Sequence, residues 1–206
     1  MIKDTKSIPV FPLGGALLLP QGNLPLNIFE PRYIDMVDYA MKSNKIIGMI
    51  QPMEKNKNKY YKIGCAGKIT NYNEVENNRY LINLKGLSKF KILDEKETAH
   101  KFKIFNVELE KNNDNFNEFN EKLFNKKTFL EKIREYLSVS GLNLNWDSVG
   151  KIDDISLIIM IAMICPFSNN EKQMLLESKN INTLAKNMET LFDFSINNKF
   201  ERETIN

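Results

Sequence analysis

The chain has 206 residues, 42% hydrophobic and 27% charged, and its 29 basic and 26 acidic side chains leave a formal charge of +3. Those values are those of an ordinary soluble globular protein, long enough for one substantial domain or two small ones and able to bury about 70% of its unfolded surface without a disulfide or metal staple. So mild and dispersed a positive surplus disfavours nucleic acid as a partner, and the longest apolar run, Leu157–Cys165, is less than half of a membrane span.

Cys65 and Cys165 sit among apolar or small neighbours and read as buried free thiols of a reducing, cytoplasmic compartment. The N-terminal stretch MIKDTKSIPVFPLGGALLLP is broken by Pro9, Pro12, Gly14 and Gly15, so it does not read as a signal peptide. Within it, IPVFPL and ALLLP are expected as short strands at barrel rims or sheet edges. The stretch LPLNIFEPRYIDMV, Leu24 to Val37, then turns an apolar run through a Glu-Pro-Arg-Tyr corner into a helix. Pro31 suits the first helical position, where its missing N–H costs nothing. Glu30 puts negative charge at the positive end of the helix dipole. Tyr33, Val37, Ala40 and Met41 fall near one face of a helix expected to reach about Lys42.

Further strands are expected in KIIGMIQP (45–52), IGCAGKITNY (63–72), RYLINLKGLSKFKIL (79–93) and FKIFNVELE (102–110), the last with the cleanest alternation. The polar segments 53–59 and 74–78 read as hairpin tips. Short strands joined by polar turns point to a closed or nearly closed β structure.

After the Asn-rich crossing KNNDNFNEFNEK, everything reads as helix. TFLEKIREYLSVSG opens with the capping-box spacing Thr128…Glu131 and stops at Gly141. DDISLIIMIAMICP starts from Asp153, must end before Pro166, and is apolar all round, as a central bundle helix is. SNNEKQMLLESK opens with a second capping box, Ser168…Glu171. A last helix runs from about Thr183 to Ile196 with Leu184, Met188, Leu191 and Phe192 inward. The expectation is an α+β chain with a β domain over 1–115 and a helical bundle over 116–206.

The chemistry expected of such a chain is sparse. The single histidine, His100, lies in a charged loop and reads as an exposed loop residue. Two cysteines a hundred residues apart and one histidine do not make a zinc set, and GCAGKIT has the wrong interval for a phosphate loop. No catalytic residue, metal or cofactor is expected. Arg32 and Arg79 each have the geometry to bind a partner's carboxylate, but pairing with a neighbouring acid, Glu30 or Glu76, is the simpler reading. Tyr60, Tyr61, Tyr72 and Tyr80 are interface-type residues that more commonly pack on their own sheet.

Three blocks go beyond generic pattern: IPVFPLGGALLLPQGNLPLNIFEPRYIDMV, IGCAGKITNYNEVENNRYLINLKGLSKFKI and CPFSNNEKQMLLES. Together they resemble the N-terminal domain family of the ATP-dependent Lon protease, in particular the stand-alone bacterial proteins built of that domain without ATPase and protease domains. The resemblance runs over roughly residues 7 to 195. It implies a PUA-like β pseudo-barrel of about six strands enclosing one helix, followed by a four-helix-type bundle. It also implies a role in recognising protein substrates, without motor or blade, since the chain has neither a phosphate loop nor room for a Ser-Lys protease domain. The resemblance supplies no motif residues that fix a site.

The function expected on these grounds is a non-enzymatic module that binds unfolded polypeptide, degradation signals or a specific protein partner. Phe29, Arg32 and Tyr33, where barrel and first helix meet, are the expected partner-binding residues. The alternative is RNA binding, because PUA-like barrels elsewhere bind RNA, which is an argument from fold alone.

Overall fold

The computed structural model describes residues 5–54, 56–110, 116, 118–140 and 144–204. The chain forms two compact units, one built from residues within 1–113 and 163–177, the other from residues within 114–162 and 178–206.

In the first unit, β1 (Thr5–Pro12) runs antiparallel to β8 (Lys103–Leu109) and parallel to β3 (Ile46–Ile50). β3 pairs with β6 (Ile63–Val75), and β6 with the 18-residue β7 (Arg79–Lys96), both antiparallel. The C-terminal part of β7 then pairs with β8 from Phe90 to Lys96, so β7, β6, β3, β1 and β8 close into a ring. β2 (Asn23–Ile28) stands outside that ring, paired with residues 80–85 of β7. β4 (Pro52–Met53) and β5 (Asn56–Tyr60) make a separate small hairpin where a polar tip is expected. The second expected tip is a turn, with Asn77 and Asn78 at φ 65° and 51°, a conformation asparagine tolerates better than most residues.

One irregularity lets β7 serve two partners on the same edge. Opposite β6 the register passes from Ala66–Ser88 to Gly67–Gly86, leaving Leu87 as an extra residue that bends the strand. At the bend the chain of residues 19–22 comes directly onto β7. Gln21 N–H donates to Gly86 O at 3.0 Å and Gly86 N–H to Gly22 O at 2.9 Å. A Cβ on Gly86 would lie 2.0 Å from Leu19 O, so only glycine admits this approach. Inside the ring Ile8, Val10, Ile50, Ala66, Phe90, Phe105 and Val107 form the core, with the Phe90 ring over Gly64, where a Cβ would meet it at 2.4 Å.

The ALLLP segment is not a strand. Leu17, Leu18 and Leu19 are buried one after another, which no alternating strand with one wet face achieves. Two carbonyls at the ends of the run are taken up: Leu19 O accepts Gly22 N–H in a turn, and Ala16 O accepts the Gln51 side-chain amide. α1 (Pro31–Met41) has Pro31 at its start, as expected, and lies against β1 and β3. Its buried face is Tyr33, Met36, Val37 and Ala40; Met36 takes the place expected of Met41, which is half-buried.

The second unit contains α2 (Lys126–Ser140), the single-turn α3 (Trp146–Val149), α4 (Asp154–Ile164) through Ala162, and α6 (Ile181–Thr204). α2 begins two residues before Thr128, because the Asn125 side chain accepts Thr128 N–H at 3.1 Å and caps the helix in place of the expected Thr128…Glu131 box. Gly141, its expected stop, lies outside the described residues. α2 packs on α6 through Tyr136–Phe192 rings 4.9 Å apart and a Lys132–Asp193 ion pair at 2.6 Å. α4 is capped by Asp153, which accepts Ser156 N–H at 2.9 Å, and buries Leu157, Ile158, Ile159, Ile161 and Ala162. Met160 and Met163 are half-buried and Ser156 and Ile164 exposed, so the helix expected to be enclosed all round keeps one open side. On α6 the expected stripe of Leu184, Met188, Leu191 and Phe192 is buried.

α5 (Asn169–Leu176), expected among the bundle helices, belongs to the first unit. Its capping box of Ser168 and Glu171 is formed as the spacing indicates. Its polar side chains reach backbone and side-chain partners among the strands and loops. Gly15 N–H donates to Asn169 Oδ1 at 2.7 Å, Gln173 Nε2 donates to Ile63 O at 3.2 Å, and Lys172 Nζ donates to Gly15 O. Tyr61 hydroxyl donates to Asn170 Oδ1, whose amide donates to Glu54 at 3.1 Å.

Candidate functional site

The corner Phe29–Tyr33 is built by the change from strand to helix. Glu30 is extended at φ −74°, ψ 130°, and its carbonyl accepts Tyr33 N–H at 2.8 Å and Ile34 N–H at 3.0 Å, the first bonds of α1. Its carboxylate makes no cap bond. It turns instead to Arg32, whose Nε and Nη2 donate to Oε2 at 3.0 and 2.8 Å. That hydrogen bond raises the guanidinium's already high pKa, and the guanidinium lies 4.5 Å above the Tyr33 ring. Tyr33 is only 7% exposed, with its ring 4.3 Å from Phe11 and its hydroxyl pKa raised chiefly by burial. Phe29, by contrast, is 65% exposed.

The three residues named from sequence therefore occupy three environments: an exposed aromatic, an arginine engaged by Glu30, and a core tyrosine. Arg79 behaves as a turn residue too, but its Nε donates to the backbone carbonyl of Glu76 at 3.3 Å and not to the Glu76 carboxylate. Tyr80 is buried with its ring 4.9 Å from Tyr72, and Tyr60 stands edge-on to Phe105 at 6.2 Å.

Phe29 directly follows β2, the terminal strand of the six-stranded sheet. The side of β2 away from β7 has no strand partner among the described residues. Asn23, Pro25 and Asn27 are exposed along it, and Leu24 and Leu26 on the inward face are only half-buried. An unpaired strand edge ending in an exposed aromatic ring is a surface suited to extended polypeptide. Sequence reading missed it because Leu24–Ile28 reads as an apolar lead-in to the corner, with Pro25 as its only edge signal.

Other groups carry less chemistry. His100 is exposed, stacked on Phe102 at 4.7 Å with Tyr39 edge-on at 5.1 Å. Both cysteines are buried and free, and burial pushes the Cys165 thiol up to about 12, which leaves it protonated near neutrality. Among the described residues no group of His, Cys, Asp and Glu is placed to hold a metal ion, and no helix is long and apolar enough to cross a membrane. A cleft of about 940 Å³ in the second unit, lined by Phe119, Leu123, Phe124, Asn182 and Lys186 among others, was not foreseen from sequence.

Residues 7–191 match the family described as the ATP-dependent protease La (LON) substrate-binding domain. The chain belongs to that family. It is 25% identical over 95 residues to Lon protease 2 of Sorangium cellulosum, covering 43% of this chain and 12% of that protein. It is 25% identical over 182 residues to Lon protease of Dictyoglomus thermophilum, covering 83% of this chain and 22% of that protein. The chain thus spans less than a quarter of the length of either relative. A crystal structure of a Lon N-terminal domain protein from Xanthomonas campestris has the same fold, with a TM-score of 0.61 at 18% identity, covering 91% of this chain and 98% of that one. The N-terminal domain of Mycobacterium avium complex Lon protease gives a TM-score of 0.64, also at 18% identity, over 92% and 98%. The α+β, pseudo-barrel architecture implied by the sequence resemblance agrees with both.

Proposed function

We propose that this protein recognises polypeptide without processing it, holding extended segments of unfolded proteins, or degradation signals displayed on such segments, along the open edge of β2 and against Phe29. The observation that carries this reading is the continuity of an unpaired edge with the most exposed aromatic ring of the first unit, 65% exposed at Phe29. Edge backbone groups bind any sequence, and a single exposed ring adds apolar contact without demanding one particular residue. Membership in a family described as a substrate-binding domain supports the same reading. A non-catalytic role in the cytoplasm is supported by the buried, protonated thiols and by matches that fall on the substrate-binding domain. In this reading Arg32 and Tyr33 act through architecture: the Glu30–Arg32 pair and the Tyr33–Phe11 contact hold the corner that presents Phe29.

Binding is expected to be micromolar or weaker, since an extended chain loses roughly 1–2 kcal/mol of backbone freedom for each residue fixed. The test is a pair of titrations, one with a fluorescent unfolded polypeptide and one with a structured RNA, each at two ionic strengths. The expected result is weak polypeptide binding with modest salt dependence, reduced by Phe29→Ala. Tight RNA binding that falls steeply with salt, with no polypeptide signal, would replace this reading with a PUA-like RNA-binding one. Silence from both would point to a dedicated folded partner.

A further inference from the structure

The direction in which β2 aims its backbone follows from one hydrogen bond. Gly86 N–H donates to Gly22 O, so the residue just before β2 faces β7. The register continues without a break from Asn23–Lys85 to Ile28–Tyr80. In an antiparallel pair, residues that face the partner alternate with residues that face away. Leu24, Leu26 and Ile28 therefore spend their backbone groups on β7, while Asn23, Pro25 and Asn27 turn theirs to the open side. The opposite edge of β7 agrees: Asn83 O, whose residue faces away from β2 by this count, accepts the Thr70 hydroxyl of β6 at 3.2 Å.

Pro25 thus sits at the middle of the open edge with no N–H to offer. The edge presents three carbonyl acceptors, on Asn23, Pro25 and Asn27, but only two donors, on Asn23 and Asn27. Side chains add a second constraint. Asn23, Pro25 and Asn27 project to the exposed outer face, and Leu24 and Leu26 project inward, half-buried.

We infer that the edge of β2 selects segments whose apolar residues alternate with polar ones, pairing antiparallel, and that Pro25 keeps the affinity low by withholding the central donor. This rests on the polypeptide-recognition reading and specifies its substrate class. An antiparallel strand opposite β2 places the residues facing Asn23, Pro25 and Asn27 in the hydrogen-bonding positions with their side chains outward. The residues between them lie over Leu24 and Leu26, where apolar side chains complete the half-covered inward face. Such alternation marks segments that are strands inside folded proteins and become available only when those proteins unfold. Proline on an exposed edge is also a guard against strand-to-strand association. Here it leaves the flanking donors in place, so the edge is weakened and not closed.

The test uses ten-residue fluorescent peptides in which Val and Ser alternate, compared with a peptide of the same composition with the Val residues in one block. The alternating peptide is expected to bind more tightly. N-methylation of its serines, which removes the N–H groups that face β2, is expected to abolish binding, while N-methylation of its valines leaves it. Pro25→Thr restores a central donor and is expected to tighten binding about three- to tenfold, the yield of one added neutral hydrogen bond, read at protein concentrations where sedimentation shows the variant monomeric. Equal binding of alternating and blocked peptides, or indifference to serine methylation, would overturn the inference and leave polypeptide recognition standing. Absence of binding by every peptide, together with silence toward unfolded polypeptide, would overturn the recognition reading itself. The methylated peptides probe the unaltered protein, so the outcome does not depend on the variant folding.

Discussion

The two parts of β7 meet different fates on the same edge. Beyond the Leu87 bulge, Phe90 to Lys96 pair with β8, close the ring, and set Phe90 into a core with no exposed surface. Before it, residues 80–85 pair with β2, and there the sheet ends, with half-buried leucines and an exposed phenylalanine beyond. Both parts obey the same pairing rules and use the same kind of residues. What separates them is whether a further strand takes up the outward backbone groups. The closed part encloses the buried core, and the open part ends in a strand edge with no strand partner among the described residues.

The largest expected effect tests the closed part. Phe90→Ala removes a fully buried ring from among Ile8, Ile50 and Phe105, and a chemical denaturation curve should show a loss of roughly 3–5 kcal/mol. A loss below about 1 kcal/mol would mean that the ring interior relaxes freely, and the contrast between the two parts would dissolve. Next comes Tyr33→Asp, which places an unpaired carboxylate in the 7%-exposed site against Phe11 and should cost roughly 3 kcal/mol. A thermal melt that does not move would relocate Tyr33 to the surface and return it to the list of direct binding residues. Gly86→Ala sharpens the boundary itself. Its Cβ would lie 2.0 Å from Leu19 O, so loop 19–22 must shift, at a cost of about 1–3 kcal/mol. The smallest effect belongs to the open part: Phe29→Ala should change stability by no more than about 0.5 kcal/mol while weakening polypeptide binding.

Much of the closed part was legible because its elements carry local signals. β8 alternates in sequence, although Ile104 and Phe105 on opposite faces are both buried, and α1 is announced by Pro31 and a helical apolar face. ALLLP reads as a rim or edge strand because a short apolar run bounded by Gly and Pro fits one. In the structure it leads into a turn closed on Leu19 O, and its Ala16 carbonyl is taken by the Gln51 amide. α5 reads as a bundle helix because every segment after the Asn-rich crossing reads as helix; Asn169, Asn170, Lys172 and Gln173 carry no apolar signal that would set it apart. In the structure they are the docking face, with partners on Gly15, Tyr61, Glu54 and Ile63. Backbone carbonyls leave no mark in a sequence, so docking of that kind is invisible to pattern. The corner was read in part: the Glu30–Arg32 pair is a local contact that spacing permits, but the exposure of Phe29 beside the burial of Tyr33 depends on how the helix seats against Phe11. The open edge depends on which strands lie beside β2, information that no local window contains.

Pairing of extended polypeptide with the open edge of β2 is read at single residues by amide exchange with and without saturating unfolded polypeptide. New protection is expected at the amides of Asn23 and Asn27, whose N–H groups face the open side, with Leu24 and Leu26 already protected in the free protein by their pairing with β7. Protection that leaves Asn23 and Asn27 unchanged and appears instead around the Phe119–Phe124 cleft would contradict it.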